Sequence, residues 1–466
     1  MINGNIFLLW LAIPFAGAIL AAALPRSLKS AAAFVSLAAA LAMGVRLFST
    51  ESFVVSSSIA SRLGASAVFA VDGFAFFMAL TVLTVSLLIA LYSHGYMAGA
   101  DDLGEFYFLF LVFVGSMMGL VFSDHLVALY VFWELTAVCS WRLIGIRRQE
   151  KHLVAANQAF MITSVGAVAM LAGIALIYAA TGTFSLAALR DYRVGTAASL
   201  LIIAGIFSKS AQLPLHLWLP DAGVAPTPVT ALLHAAVLVK IGAYAFWRFF
   251  NASMTLDPAV ASFVSIASVV TAIVAAAAAA KENDIKRILA YSTMSQLAYI
   301  IFAFSLNTVT AVAAGFIYIM AHSFAKAGLF LAAGVVEHTL GVKDIRRLGG
   351  LKKTMPYTDA SFIICALSVA GIPPTVGFFA KYAVISAALD SHRFYSAVFL
   401  LAAAVMTMYY IFRFYRQVFT GEAGEAATSA REGSASMVFV VAVFGVISLA
   451  LGLLIKFPTG ILSRIL

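Results

Sequence analysis

Five charged residues lie inside stretches of this sequence that are otherwise apolar. They are Glu134, Lys209, Lys240, Lys326 and Lys381. A charge at the centre of a membrane-crossing helix costs about 2.5–3.5 kcal/mol on insertion scales, so such residues indicate function. Any one of them alone could extend to the membrane surface or form a structural ion pair. Five together, two of them beside interrupted apolar stretches, favour a row of sites that bind and release protons.

Lysine and histidine side chains suit such a row. Moving a lysine amine out of water favours its neutral form, and a nearby carboxylate favours the charged form again. A neutral imidazole can accept a proton at one nitrogen and donate from the other, although a buried histidine can equally be structural. His322 and Lys326 are four residues apart and share a helix face, whereas His234 and Lys240 are six apart and need water between them. The predicted relay comprises Glu134, Lys209, His234, Lys240, His322, Lys326 and Lys381.

Two of the apolar stretches are interrupted by proline. They contain the segments "KSAQLPLHLWLP" (209–220) and "GIPPTVGFFAK" (371–381). Proline removes a helix hydrogen bond and clashes with the preceding turn. Irregular backbone at membrane depth is tolerated only where protein or a water-filled cavity surrounds it. The residues predicted to act as gates or caps at these breaks are Pro214, His216, Asp221, Pro373 and Pro374.

The composition shows which elements must carry these residues. Of 466 residues, 63% are hydrophobic and 11% are charged, whereas globular domains are about a quarter charged. Apolar runs of about 20 residues, the length that crosses a bilayer, recur along the chain. These runs are continuous, which excludes the alternating pattern of a membrane barrel. The sequence therefore predicts an all-α polytopic membrane protein with about fourteen transmembrane helices, of which the seventh and the twelfth are broken.

The positions of the two breaks predict an internal repeat. They lie five spans apart, and an odd number of spans reverses direction, which indicates two inverted five-helix repeats. The predicted parts are N-terminal helices 1–3 in residues 1–105, a first repeat in 106–250, a second repeat in 259–418 and a last helix in 436–466.

The distribution of basic residues predicts orientation. With the N-terminus outside, the inner loops hold sixteen lysines and arginines, Lys286 among them, and the outer segments hold eight. This bias predicts a multi-pass protein of the cell (inner) membrane with both termini on the periplasmic face. Because the formal net charge of +9 resides largely in these loops, topology explains it and nucleic acid is not an expected partner.

No motif for a cofactor is present in the sequence. The two cysteines, Cys139 and Cys365, both lie in apolar runs, so they provide neither a disulfide framework nor metal-ligand spacing. There is also no cysteine cluster for an iron–sulfur centre and no glycine-rich dinucleotide loop. We therefore expect no cofactor and no metal in this chain. Any redox chemistry would belong to partner subunits.

Several motifs together resemble one membrane-protein family. They are "FWELTAVCSW", "KSAQLPLHLWLPDAGVAPTPVTALLHAAVLVKIGAY", "KENDIKRILAYSTMSQLAY", "HSFAKAGLFLAAG" and "LGGLKKTMPYT…LSVAGIPPTVGFFAKY". Over about residues 70 to 420 the chain is similar to the proton-translocating antiporter-like subunits. These occur in the membrane arm of complex I, in energy-converting hydrogenases and in Mrp-type cation/proton antiporters. The "GIPPTVGFFAK" motif looks closest to the Mrp D-type branch and related hydrogenases.

The resemblance implies roles for individual residues. Glu134 matches the fifth-helix glutamate, and Lys209 matches the seventh-helix lysine that pairs with it. Lys240 matches the central lysine of the eighth helix, and His234 the histidine before it. His322 and Lys326 resemble eleventh-helix relay positions, and Lys381 matches the exit position on the broken twelfth helix. Arg142 departs from the family, which usually has an apolar residue there; its expected role is to extend to the membrane surface.

The resemblance also implies other membrane subunits as partners, with protons and Na⁺ as candidate cargo. The sequence leaves three functions open. The first is a proton- or cation-translocating subunit of an Mrp-type antiporter, a hydrogenase or a complex I-like oxidoreductase. The second is a stand-alone secondary transporter, and the third is an ion-motive partner in bicarbonate uptake. The line of lysines favours the first.

Overall fold

Long apolar helices dominate the part of the chain that the structure describes. A computed structural model describes residues 4–49, 68–236, 238–422 and 430–465. Within these ranges, twelve helices are long and apolar enough to cross a membrane. The helices are α1 Gly4–Ala23, α2 Arg26–Ser49, α3 Gly73–Tyr96, α4 Leu103–Phe122, α5 Leu126–Ile144, α6 Glu150–Thr181, α7 Thr196–Lys209, α8 Trp218–Asp221, α9 Thr227–Phe250, α10 Pro258–Lys281, α11 Ile285–Ser305, α12 Val309–Leu340, α13 Pro356–Ala370, α14 Val376–Asp390, α15 Phe394–Tyr415, α16 Ala435–Leu453 and α17 Lys456–Ile465.

This architecture confirms the prediction of an all-α polytopic membrane protein. The count of fourteen spans is not confirmed, because two predicted spans, 198–217 and 357–383, are each divided into shorter helices. Their apolar pieces are α7, before the first break, and α13, before the second. The division into two inverted repeats stays a prediction.

Local sequence signals explain where several helices begin and end. Asp284 begins α11, since its carboxylate accepts hydrogen bonds from the backbone N–H groups of Lys286 and Arg287 at 2.8 and 3.1 Å. Thr308 begins α12 in the same way. These caps satisfy N–H groups that have no partner within the helix. Gly341 ends α12 in the left-handed region, with φ of 66°, where a residue without Cβ is favoured.

The helices differ strongly in how deeply they are buried. The apolar windows of α9 and α12 are fully buried within the molecule, and that of α11 is nearly so. Helices α1, α2, α6, α15 and α16 expose most of theirs, with side chains such as Val165 and Val405 facing outward. An apolar outer surface is what a bilayer requires, so the fold surrounds three central helices with a lipid-facing layer.

Both interrupted helices lie against this centre. Helix α7 ends at Lys209, Ala211 adopts a positive φ of 49°, and the Leu213–Pro214 peptide is cis. In the second break, α13 ends at Gly371 with φ of 84°, and the Pro373–Pro374 peptide is cis. The described chain thus confirms two breaks at the predicted prolines.

The second break depends on a close backbone contact. A Cβ on Gly377, in the first turn of α14, would lie 1.9 Å from the carbonyl oxygen of Ser368 in α13. We predict that Gly377→Ala lowers the free energy of unfolding by about 1–3 kcal/mol, because the overpacking separates the two half-helices. Thermal unfolding in detergent would measure it. Gly460→Ala is the control, since nothing lies within 4 Å of that position, and equal stability of the two variants would contradict the prediction.

Candidate functional site

The first predicted pair lies where α7 meets α5. Lys209 is fully buried at the end of α7, and its amine donates to the carbonyl oxygen of Trp133 at 3.2 Å. The amine also lies 5.4 Å from the centre of the Trp133 ring, a cation–π contact. Glu134 follows Trp133 but forms no ion pair with Lys209 among the described residues, and its Oε1 is buried without a hydrogen-bond partner there. The structure places the two side chains as neighbours rather than as a closed salt bridge.

The second pair lies at a π-helical turn in α9, over Leu232–Ala236. Such turns are rare and occur often at functional sites, because they leave backbone carbonyls poorly paired. The buried Lys240 amine donates to the carbonyl oxygen of His234 at 3.2 Å and also to that of Ala235. Lys240 is therefore held by the backbone next to His234, not by the imidazole. The His234 ring packs on Phe330 of α12, with centroids 4.5 Å apart.

His322 and Lys326 lie on α12, as their spacing predicts. The Lys326 amine donates to the carbonyl oxygen of Leu289 in α11 at 3.2 Å. His322 is 2% exposed, and neither of its ring nitrogens has a hydrogen-bond partner among the described residues. Its ring lines a cavity of about 10 Å³, which has room for about one water molecule. This cavity reaches Ser368 and Gly377 at the second break.

Lys381 closes the row at the second break. Its amine donates to the carbonyl oxygens of Val369 and Ala370 at 2.8 and 3.1 Å, which are the last carbonyls of α13. The partial negative charge at a helix C-terminus stabilises a cation there. The amine also lies 5.7 Å from the centre of the Tyr299 ring. Lys381 therefore joins the two halves of the broken helix.

The structure brings most of the predicted relay into one buried row. His322 and Lys326 share one face of α12, and the His234 ring packs on Phe330 of the same helix, one turn beyond Lys326. Lys209 reaches this row through its neighbour, because Ser210 donates to the carbonyl oxygen of Val239, next to Lys240, at 3.0 Å. Glu134 lies beyond Lys209 at the edge of the molecule.

The predicted gate residues lie outside this row. Asp221 forms an ion pair with Arg287 of α11 at 2.5 Å, and makes no side-chain hydrogen bond to the adjacent helix start. The His216 ring contacts the carbonyl oxygen of Pro214 at 3.1 Å. Pro373 and Pro374 form the turn of the second break.

Sequence reasoning missed two ionic contacts of buried residues. Lys286, interpreted as a loop residue, is 1% exposed and binds Glu337 of α12 at 2.6 Å. Glu337 lies eleven residues after Lys326, and that helical spacing could have identified it. Arg248, at the far end of α9, binds Asp72.

Arg142 forms an ion pair that the sequence did not reveal. It lies in the last turn of α5 and its guanidinium binds Glu105 in the first turn of α4, which also binds Arg148 at 3.2 Å. Its extension to the membrane surface stays a prediction. Sequence alone could not show that the two helix ends meet.

The fold and the buried row define a polytopic membrane protein that holds titratable side chains away from lipid. A family model described as "NADH:quinone oxidoreductase/Mrp antiporter, TM" matches residues 123–407. A second, described as "NADH-Ubiquinone oxidoreductase (complex I), chain 5 N-terminus", matches residues 58–107. The chain belongs to this antiporter-like family, as the sequence motifs predicted.

Similar proteins are named either as quinone oxidoreductase chains or as antiporter subunits. The chain is 38% identical over 376 residues to NAD(P)H-quinone oxidoreductase chain 5 of Picosynechococcus sp., covering 76% of this chain and 56% of that protein. It is 36% identical over 391 residues to a Na(+)/H(+) antiporter subunit of Alkalihalophilus pseudofirmus, covering 76% and 48%. The chain thus spans about half the length of the curated relatives it matches. The expectation of a D-type branch stays a prediction.

Solved structures share the fold. A chain of the Mrp complex from Dietzia sp. DQ12-45-1b superposes with a TM-score of 0.87 at 24% identity, covering 98% of this chain and 97% of that one. A chain of an archaeal membrane-bound sulfane sulfur reductase gives the same TM-score and identity, covering 98% and 96%. At this identity the likeness concerns the fold alone.

The contacts of Lys381 generate a prediction. Lys381→Met removes both amine hydrogen bonds and leaves two buried carbonyls without that donor, so we expect loss of transport and about 1–3 kcal/mol lower stability. Lys381→Glu should recover part of the transport at acidic pH, because only a protonated carboxyl can donate to a carbonyl. Dye-monitored pH gradients in vesicles would measure it. Wild-type rates in Lys381→Met would remove Lys381 from the pathway.

Proposed function

We propose that this chain translocates protons as a membrane subunit of a larger complex, with Na⁺ as a further candidate cargo. The observation that carries the proposal is the set of lysines and histidines buried together in the centre of the molecule. No described member of the row forms an ion pair with a carboxylate, so none is neutralised by a fixed counter-charge. Ionisable side chains at membrane depth are costly to bury and usually mark a pathway for ions or protons. The relay consists of Glu134, Lys209, His234, Lys240, His322, Lys326 and Lys381.

The proposal assigns a role to each part of the relay. Glu134, half-buried on α5, is the movable carboxylate that raises or lowers the proton affinity of Lys209. Lys240 and the two histidines carry the proton through the centre. Lys381, between the two halves of a broken helix, releases it. His216 and Asp221 act as gates at the first break.

The surroundings of the chain are part of the proposal. The chain contains two inverted repeats, at 106–250 and 259–418, and each repeat contains one of the two breaks. The protein lies in a cell membrane. The end of the molecule with more lysines and arginines faces the cytoplasm, and both termini lie on the opposite, outer side. Relatives named as subunits of antiporters and of quinone oxidoreductases support other membrane subunits as partners.

Removing either member of the first pair tests the proposal. In the intact complex, we expect Glu134→Gln and Lys209→Ala each to lower proton transport at least tenfold, because the first proton site loses its titratable partner. The measurement is pH-gradient formation in reconstituted vesicles. Lys352→Ala, which changes an exposed lysine, is the control and should transport normally. Normal transport in both relay variants would reject the pathway.

The dependence on partners is tested separately. Glu134 lies at the edge of the molecule, so we expect the chain reconstituted alone to show less than a tenth of the exchange rate of the complex. Vesicles with equal amounts of either preparation, given Na⁺ or K⁺ pulses, would compare the rates. Full exchange by the isolated chain would instead identify a stand-alone transporter.

A further inference from the structure

A carboxylate outside the relay lies between two lysines near one end of α12. The Oε2 atom of Glu337 lies 2.6 Å from the Lys286 amine and accepts a hydrogen bond from Thr227 at 3.2 Å. Its Oε1 atom lies 3.1 Å from the Lys343 amine. Glu337 thereby joins α9, α11 and the loop that follows α12.

The two oxygens of Glu337 face different surroundings. The Lys286 side chain is 1% exposed, whereas that of Lys343 is 35% exposed. Lys343 also lines an open cavity of about 500 Å³, together with Asp221, Gly223 and Arg287. Glu337 therefore lies at the boundary between a water-accessible vestibule on one side and the dry interior on the other.

Three other carboxylates at this end, those of Asp221, Asp284 and Glu282, are held by groups that release no proton at physiological pH. Asp221 binds the Arg287 guanidinium, and Asp284 accepts backbone N–H groups. Burial works to raise the pKa of Glu282, but hydrogen bonds from Arg287 and from the backbone of Asn283 and Asp284 hold it below its usual value. Glu337 differs, since its ionic partners are lysines, and a lysine can lose its proton.

The position of Glu337 on α12 connects it to the relay. Eleven residues are close to three helical turns, so Glu337 lies on nearly the same face as Lys326 and about 16 Å along the axis. On the interior side, the Lys286 amine also donates to the carbonyl oxygen of Ala225 at 2.9 Å. Ala225 lies two residues before α9, the helix that carries His234.

We propose that Glu337 takes up protons from the vestibule and that Lys286 passes them to the relay. A proton from water binds Oε1 and neutralises the carboxylate. Lys286 then loses its counter-ion and gives a proton to the relay, after which the Glu337 carboxyl reprotonates the Lys286 amine. One proton enters and one leaves, and the ion pair is restored. This inference rests on the proposed proton transport.

Other charged groups around Glu337 set the pH at which it loads. Lys286 and Lys343 stabilise its ionised form, and Asp284 acts on Lys286. Tyr92 and Tyr96 of α3 face the same region, and the His338 ring contacts the Tyr96 ring in a tilted arrangement, with centroids 4.8 Å apart. The pH profile of transport is therefore the readout that a purely structural ion pair would not change.

Two variants in the intact complex separate proton loading from a structural clamp. Lys286→Arg retains a cation opposite Glu337 but cannot release a proton, so we expect assembled complex with transport at least tenfold lower. Glu337→Gln should lower transport by a similar factor and abolish its dependence on pH at the vestibule side, whereas Glu337→Asp should restore part of both. Rates come from dye-monitored vesicles at a series of external pH values, with assembly checked by gel filtration.

Glu432→Gln is the matched control. Its carboxylate caps the start of α13 by accepting from the N–H of Tyr357 and the hydroxyl of Thr358, at 2.8 and 2.5 Å. It should keep the pH profile of the wild type. A wild-type transport rate in Lys286→Arg would overturn the inference, even if Glu337→Gln fails to assemble. The ion pair of Lys286 with Glu337 would then have only a structural role. If Lys209→Ala loses transport while Lys286→Arg transports normally, the inference fails but the proposed function stands. If the wild-type complex transports no protons, the proposed function itself is rejected.

Discussion

The structure depends on how a membrane protein holds an amine where no water can solvate it. The four central lysines use the same solution, because each amine donates to main-chain carbonyl oxygens: Lys209 to Trp133, Lys240 to His234 and Ala235, Lys326 to Leu289, and Lys381 to Val369 and Ala370. A carbonyl accepts a hydrogen bond from a charged or a neutral amine. The lysines therefore stay in place whether or not they carry a proton, which a carboxylate partner would not allow, since it would favour the charged form.

The irregular backbone follows from the same constraint. A carbonyl oxygen has two lone pairs, so an unbroken helix can hold an amine as well, as Trp133 of α5 and Leu289 of α11 do. Helix ends and poorly paired turns offer carbonyls that lack a helical partner. Lys381 uses the end of α13, and Lys240 uses the π-helical turn of α9. At the second break, Gly377 lets the two half-helices approach closely enough to hold that end in position. The breaks thus have a physical purpose that is independent of any gate.

The two carboxylates with a proposed role in transport lie at the boundary of the buried row, whereas the lysines lie within it. Glu134 lies at the edge of the row, and Glu337 lies near one end of α12, against the vestibule. A fixed negative charge next to a central lysine would stabilise its protonated form and so hinder release of the proton. A carboxylate at the boundary can change its partner or its protonation state. The ionic contacts at the ends of the helices, such as Arg142 with Glu105 and Arg248 with Asp72, hold helix ends together and lie away from the row.

The sequence by itself determined the class of fold, the two breaks and the ionisable residues that lie inside apolar runs. Apolar length, proline and an ionisable residue inside an apolar run are local properties, and the bilayer makes each of them costly enough to be informative. Only the tertiary structure decided which atoms hold the lysines. The acceptor of Lys326 lies on another helix. The sequence suggests that Lys286 is a charged loop residue, and only the packing of α12 shows that it forms an ion pair with Glu337. Such contacts join residues 37 and 51 positions apart, and helix packing, which no local pattern encodes, brings them within hydrogen-bonding distance.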